Sequence, residues 1–272
     1  MKKMLLVFFL YSIQVSFVFS QAIKNRGSIS LLVGAAFPLG KFSGTDLYDK
    51  SSGFANTGES VYASYSKLLS KNWGISIDIL AQRNSLNTRA FENKFSQLKI
   101  YQGFSLGSDP NNPPPAAYSI YPNWKFEKKA WLYGAFFVGV NGRFAIGDSK
   151  KIDLVVKAMP GIVYAKSPEL KGSSFTDTAT AVVIQSKSSG FGFIYSISGG
   201  LNYHLTRSLF LSSDVKYVGT NQITFKDIKA TLTTTKGSYN SQGYSIQQSV
   251  TTVNSKQIIS SINLSVGVGI KL

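Results

Sequence analysis

Apolar residues hold every second position through most of the closing stretch, Ile258–Leu272. Ile258, Ile262, Leu264, Val266, Val268, Ile270 and Leu272 share one parity; Ser261, Asn263, Ser265, Gly267, Gly269 and Lys271 fill the other. A strand sends successive side chains to opposite faces, so the stretch predicts one apolar wall backed by a small, polar one. At about 3.3 Å per residue it is long enough to cross a hydrocarbon layer when tilted.

The same period recurs upstream, and no helix-period segment with clear caps competes with it. Alternation predicts strands over 28–37, 59–69, 73–82, 130–144, 152–165, 191–205, 209–219 and 258–272. The second is the weakest, because Lys67 interrupts the face made by Val61, Ala63, Tyr65 and Leu69. Connections between these strands alternate in length. Long ones follow the first, third, fifth and seventh strands; short turns near 70–72, 147–150 and 206–208 follow the second, fourth and sixth. Transmembrane β-barrels sort their loops in this way, and a soluble sandwich has no reason to. The expected fold is therefore all-β: a closed antiparallel transmembrane β-barrel of eight strands, with long extracellular loops and short periplasmic turns. Ten strands is the alternative if 223–250 re-enters the membrane. Trp73, Trp131, Tyr164, Tyr203 and Tyr217 fall near strand ends, where interfacial girdles belong.

The N-terminus changes the picture next. Lys2 and Lys3 precede an apolar run from Met4 to Val18, and Val18 and Ser20 are small enough for a cleavage site. This is the pattern of a secretory signal, with the cut expected after Ser20 and the barrel domain spanning 21–272. The run is too short and wrongly flanked for a membrane helix. Cysteine is absent, which excludes disulfides, thiolate metal sites and cysteine nucleophiles together.

An exported start, the segment Gly200–Tyr217 (GLNYHLTRSLFLSSDVKY) and a glycine-alternating last strand resemble the small outer-membrane β-barrel families, OmpA-like and OmpX-like in architecture. The resemblance spans the mature chain and rests on patterning. It implies residence in the outer membrane of a Gram-negative-type envelope and a structural or surface-interaction role, in adhesion or partner binding, carried by the outside loops. A narrow porin-like channel is the alternative, and a lipid-modifying enzyme a further one. Such barrels often end on an aromatic residue; this chain ends on Leu272.

Candidate chemistry is sparse. His204 is the only histidine, and its place beside a short turn puts it on the periplasmic side, away from an outer-leaflet substrate. It reads as a polar residue closing the barrel mouth, and the chain as a non-enzyme. Asp78, Asp153, Lys157, Asp214 and Lys216 fall on inward faces. An eight-stranded barrel has room inside only for side chains, so these charges are expected to pair with one another or stay hydrated. That filling argues against a general diffusion pore. No phosphate loop, HExxH or metal-spaced cluster occurs, so no catalytic, cofactor or metal residues are assigned.

The formal net charge is +16. Arg83, Arg89, Lys94, Lys99, Lys125, Lys128 and Lys129 lie in the longest connection, and Lys226, Lys229, Lys236 and Lys256 in the last. Such rim cations would face membrane lipid and lipopolysaccharide phosphates. Nucleic acid is excluded as a partner: no aromatic residues interleave the basic ones in the RNP manner, and the chain is exported. Residues 223–232 and 244–250 alternate, which predicts a hairpin continuing the last two strands above the membrane and an edge for strand addition by a protein partner.

Overall fold

A computed structural model describes residues 27–49, 51–97, 99–101, 118–120, 123–147, 151–176, 179–237 and 244–272. The expected signal segment 1–20, the proline-rich stretch Asp109–Pro115 and most of the 147–150 turn lie outside these residues.

Eight long strands close into a barrel: β1 (Gly27–Pro38), β2 (Ala55–Leu68), β3 (Trp73–Leu86), β7 (Ala130–Ile146), β8 (Ile152–Lys166), β11 (Ser189–His204), β12 (Leu209–Thr220) and β15 (Ser260–Lys271). Every neighbouring pair is antiparallel, and β1 pairs with β15 to close the ring. The ten-strand alternative is overturned, because the 223–250 region pairs elsewhere. Outward positions are apolar on all eight strands, from Leu31 and Val33 on β1 to Ile79, Val138, Ile162, Ile197, Val215 and Val266. Inward positions are small or polar, among them Ser64, Ser76, Asn141, Ser196, Asn202 and Ser265. A surface apolar outside and polar inside suits lipid as solvent, so the protein is a transmembrane β-barrel.

Close approach of strands explains the glycines of β15. A Cβ on Gly267 would meet the Leu31 carbonyl oxygen at 2.0 Å, and one on Gly269 would meet the Phe210 ring at 2.2 Å. Phe210 lies buried over that gap. Glycine is required where the wall curves this tightly and an aromatic ring fills the lumen.

The long connections form a second structure. Strands β6 (Lys125–Phe126), β9 (Leu170–Phe175), β10 (Ala179–Gln185), β13 (Ile223–Gly237) and β14 (Tyr244–Gln257) make a sheet in the order β14-β13-β10-β9-β6. A separate pair joins β4 (Lys99–Tyr101) to β5 (Tyr118–Ile120). Each strand of the five-stranded sheet adjoins, along the chain, one barrel strand of the series β15-β12-β11-β8-β7, in the same order. The sheet is thus an upward continuation of five barrel strands, interrupted at one level near 127–129, 167–169, 186–188, 221–222 and 258–259. Bonds cross that level: Ser167 N–H donates to Ser188 O at 2.9 Å, and Thr220 N–H to Ile259 O at 2.9 Å. The expected 223–250 hairpin is present as β13–β14, within this larger platform.

Helix α1 (Thr88–Phe95) is a further correction, since no capped helix was expected. Asn87 caps it by accepting the Ala90 N–H at 3.1 Å. Its Phe91 stacks on Phe54, with ring centroids 3.9 Å apart, and joins Leu86, Trp124, Phe126 and Ala181 in a cluster beneath the platform. A helix this short gives a weak periodic signal and is stable only through such packing.

Candidate functional site

Inward residues stack in layers from the short-turn end to the long-loop end. At the short-turn mouth, His204 Nε2 lies 2.7 Å from Asp153 Oδ2, and the Arg143 guanidinium lies 3.9 Å from the same carboxylate. Arg143 also donates to Ser28 Oγ at 2.9 Å. His204 thus closes the mouth, as expected, against Asp153 and the edge of Phe210. Arg143 was missed, although its parity opposite Val138 and Val140 places it inside.

Mid-barrel, Asp78 is fully buried between two lysines. Lys216 Nζ lies 2.7 Å from Oδ2, and Lys157 Nζ 3.1 Å from Oδ1. Lys157 also donates to Ser64 Oγ at 2.6 Å. Lys216 Nζ stands 3.8 Å from the Tyr62 ring centroid, and Asp214 lines one small cavity with Tyr62, Ser64 and Lys157. The five inward charges named from sequence therefore fall into two groups: Asp78, Lys157, Lys216 and Asp214 in one, Asp153 in the other. Tyr62 is an addition, detectable only from its parity within β2.

Above this layer, the amides Gln82, Asn84 and Asn263 bond to one another and to Ser261. Tyr133 reaches the same serine at 3.3 Å. Trp131, Phe42, Phe225, Ile223 and Ile259 then seal the long-loop end. Trp131 had been expected in an interfacial girdle. Instead it points inward, donates Nε1–H to the Gly53 carbonyl at 2.8 Å and packs against Phe42 and Phe225. Its odd position on β7 matches buried Tyr133 and Phe137, so alternation outranks proximity to a strand end. Trp73, Tyr164 and Tyr203 do face outward.

A bulge positions part of that seal. Between Phe225 and Ile228 the β13–β14 register shifts, and Asp227 adopts φ 55° with its N–H donating to Asn254 Oδ1 at 3.1 Å. Residues 223 and 225 face inward before the bulge, and 228 after it, so both parities contribute to one apolar face.

Under the platform lies a cavity of about 350 Å³, walled by Leu47, Phe54, Phe91, Leu170, Ile228 and Val253, with Asp46 and Asp49 at its edge. Asp49 is held below the usual carboxylate range by hydrogen bonds from the Ser51 side chain and backbone, and by Lys41 at 3.5 Å. β14, which lends Val253 to that cavity, is an edge strand of the platform paired only with β13. Ile246 and Val250 are 68% and 59% exposed on it.

No protein-family model matches the chain, and no curated protein does. Solved structures similar in fold include Neisserial surface protein A, with 9% identity and a TM-score of 0.44 over 90% of this chain and 97% of that one. The outer membrane protein OprG from Pseudomonas aeruginosa has 9% identity and a TM-score of 0.43 over 93% and 98%. Ail, the attachment invasion locus protein of Yersinia pestis, has 12% identity and a TM-score of 0.39 over 91% and 99%. The closed ring with its inverted surface decides the architecture. This chain has the fold of the small eight-stranded outer-membrane β-barrels. At such identities nothing of these proteins' roles passes to it.

Proposed function

We propose that this outer-membrane barrel works outside the cell, as a surface-interaction protein that binds a partner through its platform. On this reading residues 1–20 are a cleaved signal, the mature domain begins at Gln21, the short turns face the periplasm and the long loops face outward. The observation that carries the reading is the outer part of β14 around Ile246 and Val250, an edge paired with β13 alone and raised on a barrel whose interior is filled. Such an edge offers main-chain hydrogen bonds to an added strand, and the exposed Ile246 and Val250 offer it apolar contact. The filled lumen supports a role outside the channel class, and the mouth pair His204–Asp153 sits at the end remote from an outer-leaflet substrate. Exposed rim cations such as Lys125 and Lys128 support contact with lipid phosphates around the platform.

Adherence of cells expressing the full chain to an epithelial monolayer tests this. Intact protein should raise adherence above a vector control, and Ile246→Lys with Val250→Lys should return it to that control while heat-modifiable migration persists. Equal adherence of the intact and doubly substituted proteins would remove the edge from the function. No gain over the vector would remove the adhesive role altogether.

A further inference from the structure

The lipid-facing wall carries a dent near its long-loop end. Register aligns Val61, Ala81, Gly134 and Tyr164 in one row across β2, β3, β7 and β8. The two central residues are the small ones, so the wall is hollow between a valine and a tyrosine. A Cβ on Gly134 would have only the Leu80 carbonyl oxygen within 4 Å, at 3.8 Å, so the space outside it is open. The cavity there measures about 440 Å³. Directly above, register aligns Glu59, Arg83, Leu132 and Lys166. Arg83 bonds Glu59 at 3.0 Å. Lys166 has no ion-pair partner among the described residues, and its Nζ hangs 5.7 Å from the Tyr164 ring centroid.

We propose that this groove is a binding site for a phosphorylated glycolipid of the outer leaflet, lipid A. One acyl chain lies over Ala81 and Gly134, with headgroup phosphates on Lys166 and Arg83. Apolar floor, aromatic shoulder and a rim of two cations and one exposed carboxylate, Glu59, follow one another in the order in which a lipid presents chain, interface and phosphate. Arg83 and Lys166 stand two strands apart, about 10 Å. That spacing fits a headgroup with two anionic groups better than one with a single phosphate. A second wall dent, at Gly199 beside Leu154, Leu201 and Val215, has no cation on its lining and serves as an internal comparison. The inference rests on the outer-membrane orientation proposed above and adds a site to it.

The full chain, refolded in detergent micelles, would be offered lipid A, phosphatidylglycerol or phosphatidylcholine and read by native mass spectrometry. Lipid A should be retained preferentially. Arg83→Ala with Lys166→Ala should weaken it about tenfold or more, the scale of a lost charge-assisted hydrogen bond. Gly134→Leu should fill the groove and do the same, whereas Gly199→Leu should leave retention unchanged. Equal retention of phosphatidylglycerol, or an equal response to Gly199→Leu, would overturn the assignment. Failure of the orientation would show separately, as protein absent from the outer-membrane fraction or long loops inaccessible to protease on intact cells. Correct insertion without lipid A retention would overturn this inference alone.

Discussion

Asp78 is the residue on which the interior turns. Its carboxylate is fully buried and bonded to Lys157 and Lys216, and Asp214 lines the same small cavity as Lys157. Removing one member of a buried ion pair leaves an uncompensated charge, at a cost of about 3–5 kcal/mol. Asp78→Asn should therefore lower barrel stability by that order, read as a reduced urea midpoint for loss of heat-modifiable migration. Unchanged stability would mean that water solvates both lysines in the lumen. The inward placement of these charges was legible from parity alone, since a strand's period leaves no third direction. Their partners were not, because pairing across the lumen joins residues 138 positions apart, as in Lys216 and Asp78. Trp131 shows the same rule misapplied: strand-end position suggested a girdle, while its parity already placed it inside.

At the scale of elements, all eight barrel strands were legible, and their ends moved by only a few residues. The platform was legible only in part. Strands β6, β9 and β10 are short and β13 is bulged, and the sheet pairs across different connections, so β6 meets β9 only after the barrel has brought 125 and 173 together. That junction is pinned by Glu127, whose N–H donates to Lys171 O at 2.9 Å. Hydrogen bonds from the Lys171 and Lys129 side chains hold its carboxyl below the usual glutamate range. A lowered folded-state value means the stabilisation is present above the unfolded value and fades as pH falls through the folded one. Amide protection at Glu127 should accordingly drop under acid conditions, after correction for intrinsic exchange. Glu127→Gln should show the lower protection already at neutral pH and lose the acid response. A carboxamide variant that keeps the wild-type profile would place the junction's stability elsewhere.

For the whole molecule, the lumen holds an ion layer, an amide layer and an aromatic seal in series. The cavity beside Lys157 and Arg143 is about 30 Å³, roughly the share of one water in the liquid. In planar bilayers the intact protein should give no steady conductance steps, and reproducible steps would restore the channel reading. Sequence reached the filled interior through barrel size and inward charge, but gave no sign of the aromatic seal. Phe42, Phe225 and Ile228 come from two separate connections, and the backbone kink at Asp227 is what lets the last two share a face. That kink also separates two kinds of lesion. A residue at 227 that resists φ 55°, as in Asp227→Val, would favour an unbulged β13, leaving every barrel ladder in register while turning Ile228 away from the seal. Such a chain could still be assembled and delivered to the membrane, yet present its outside world with the wrong face of the sheet.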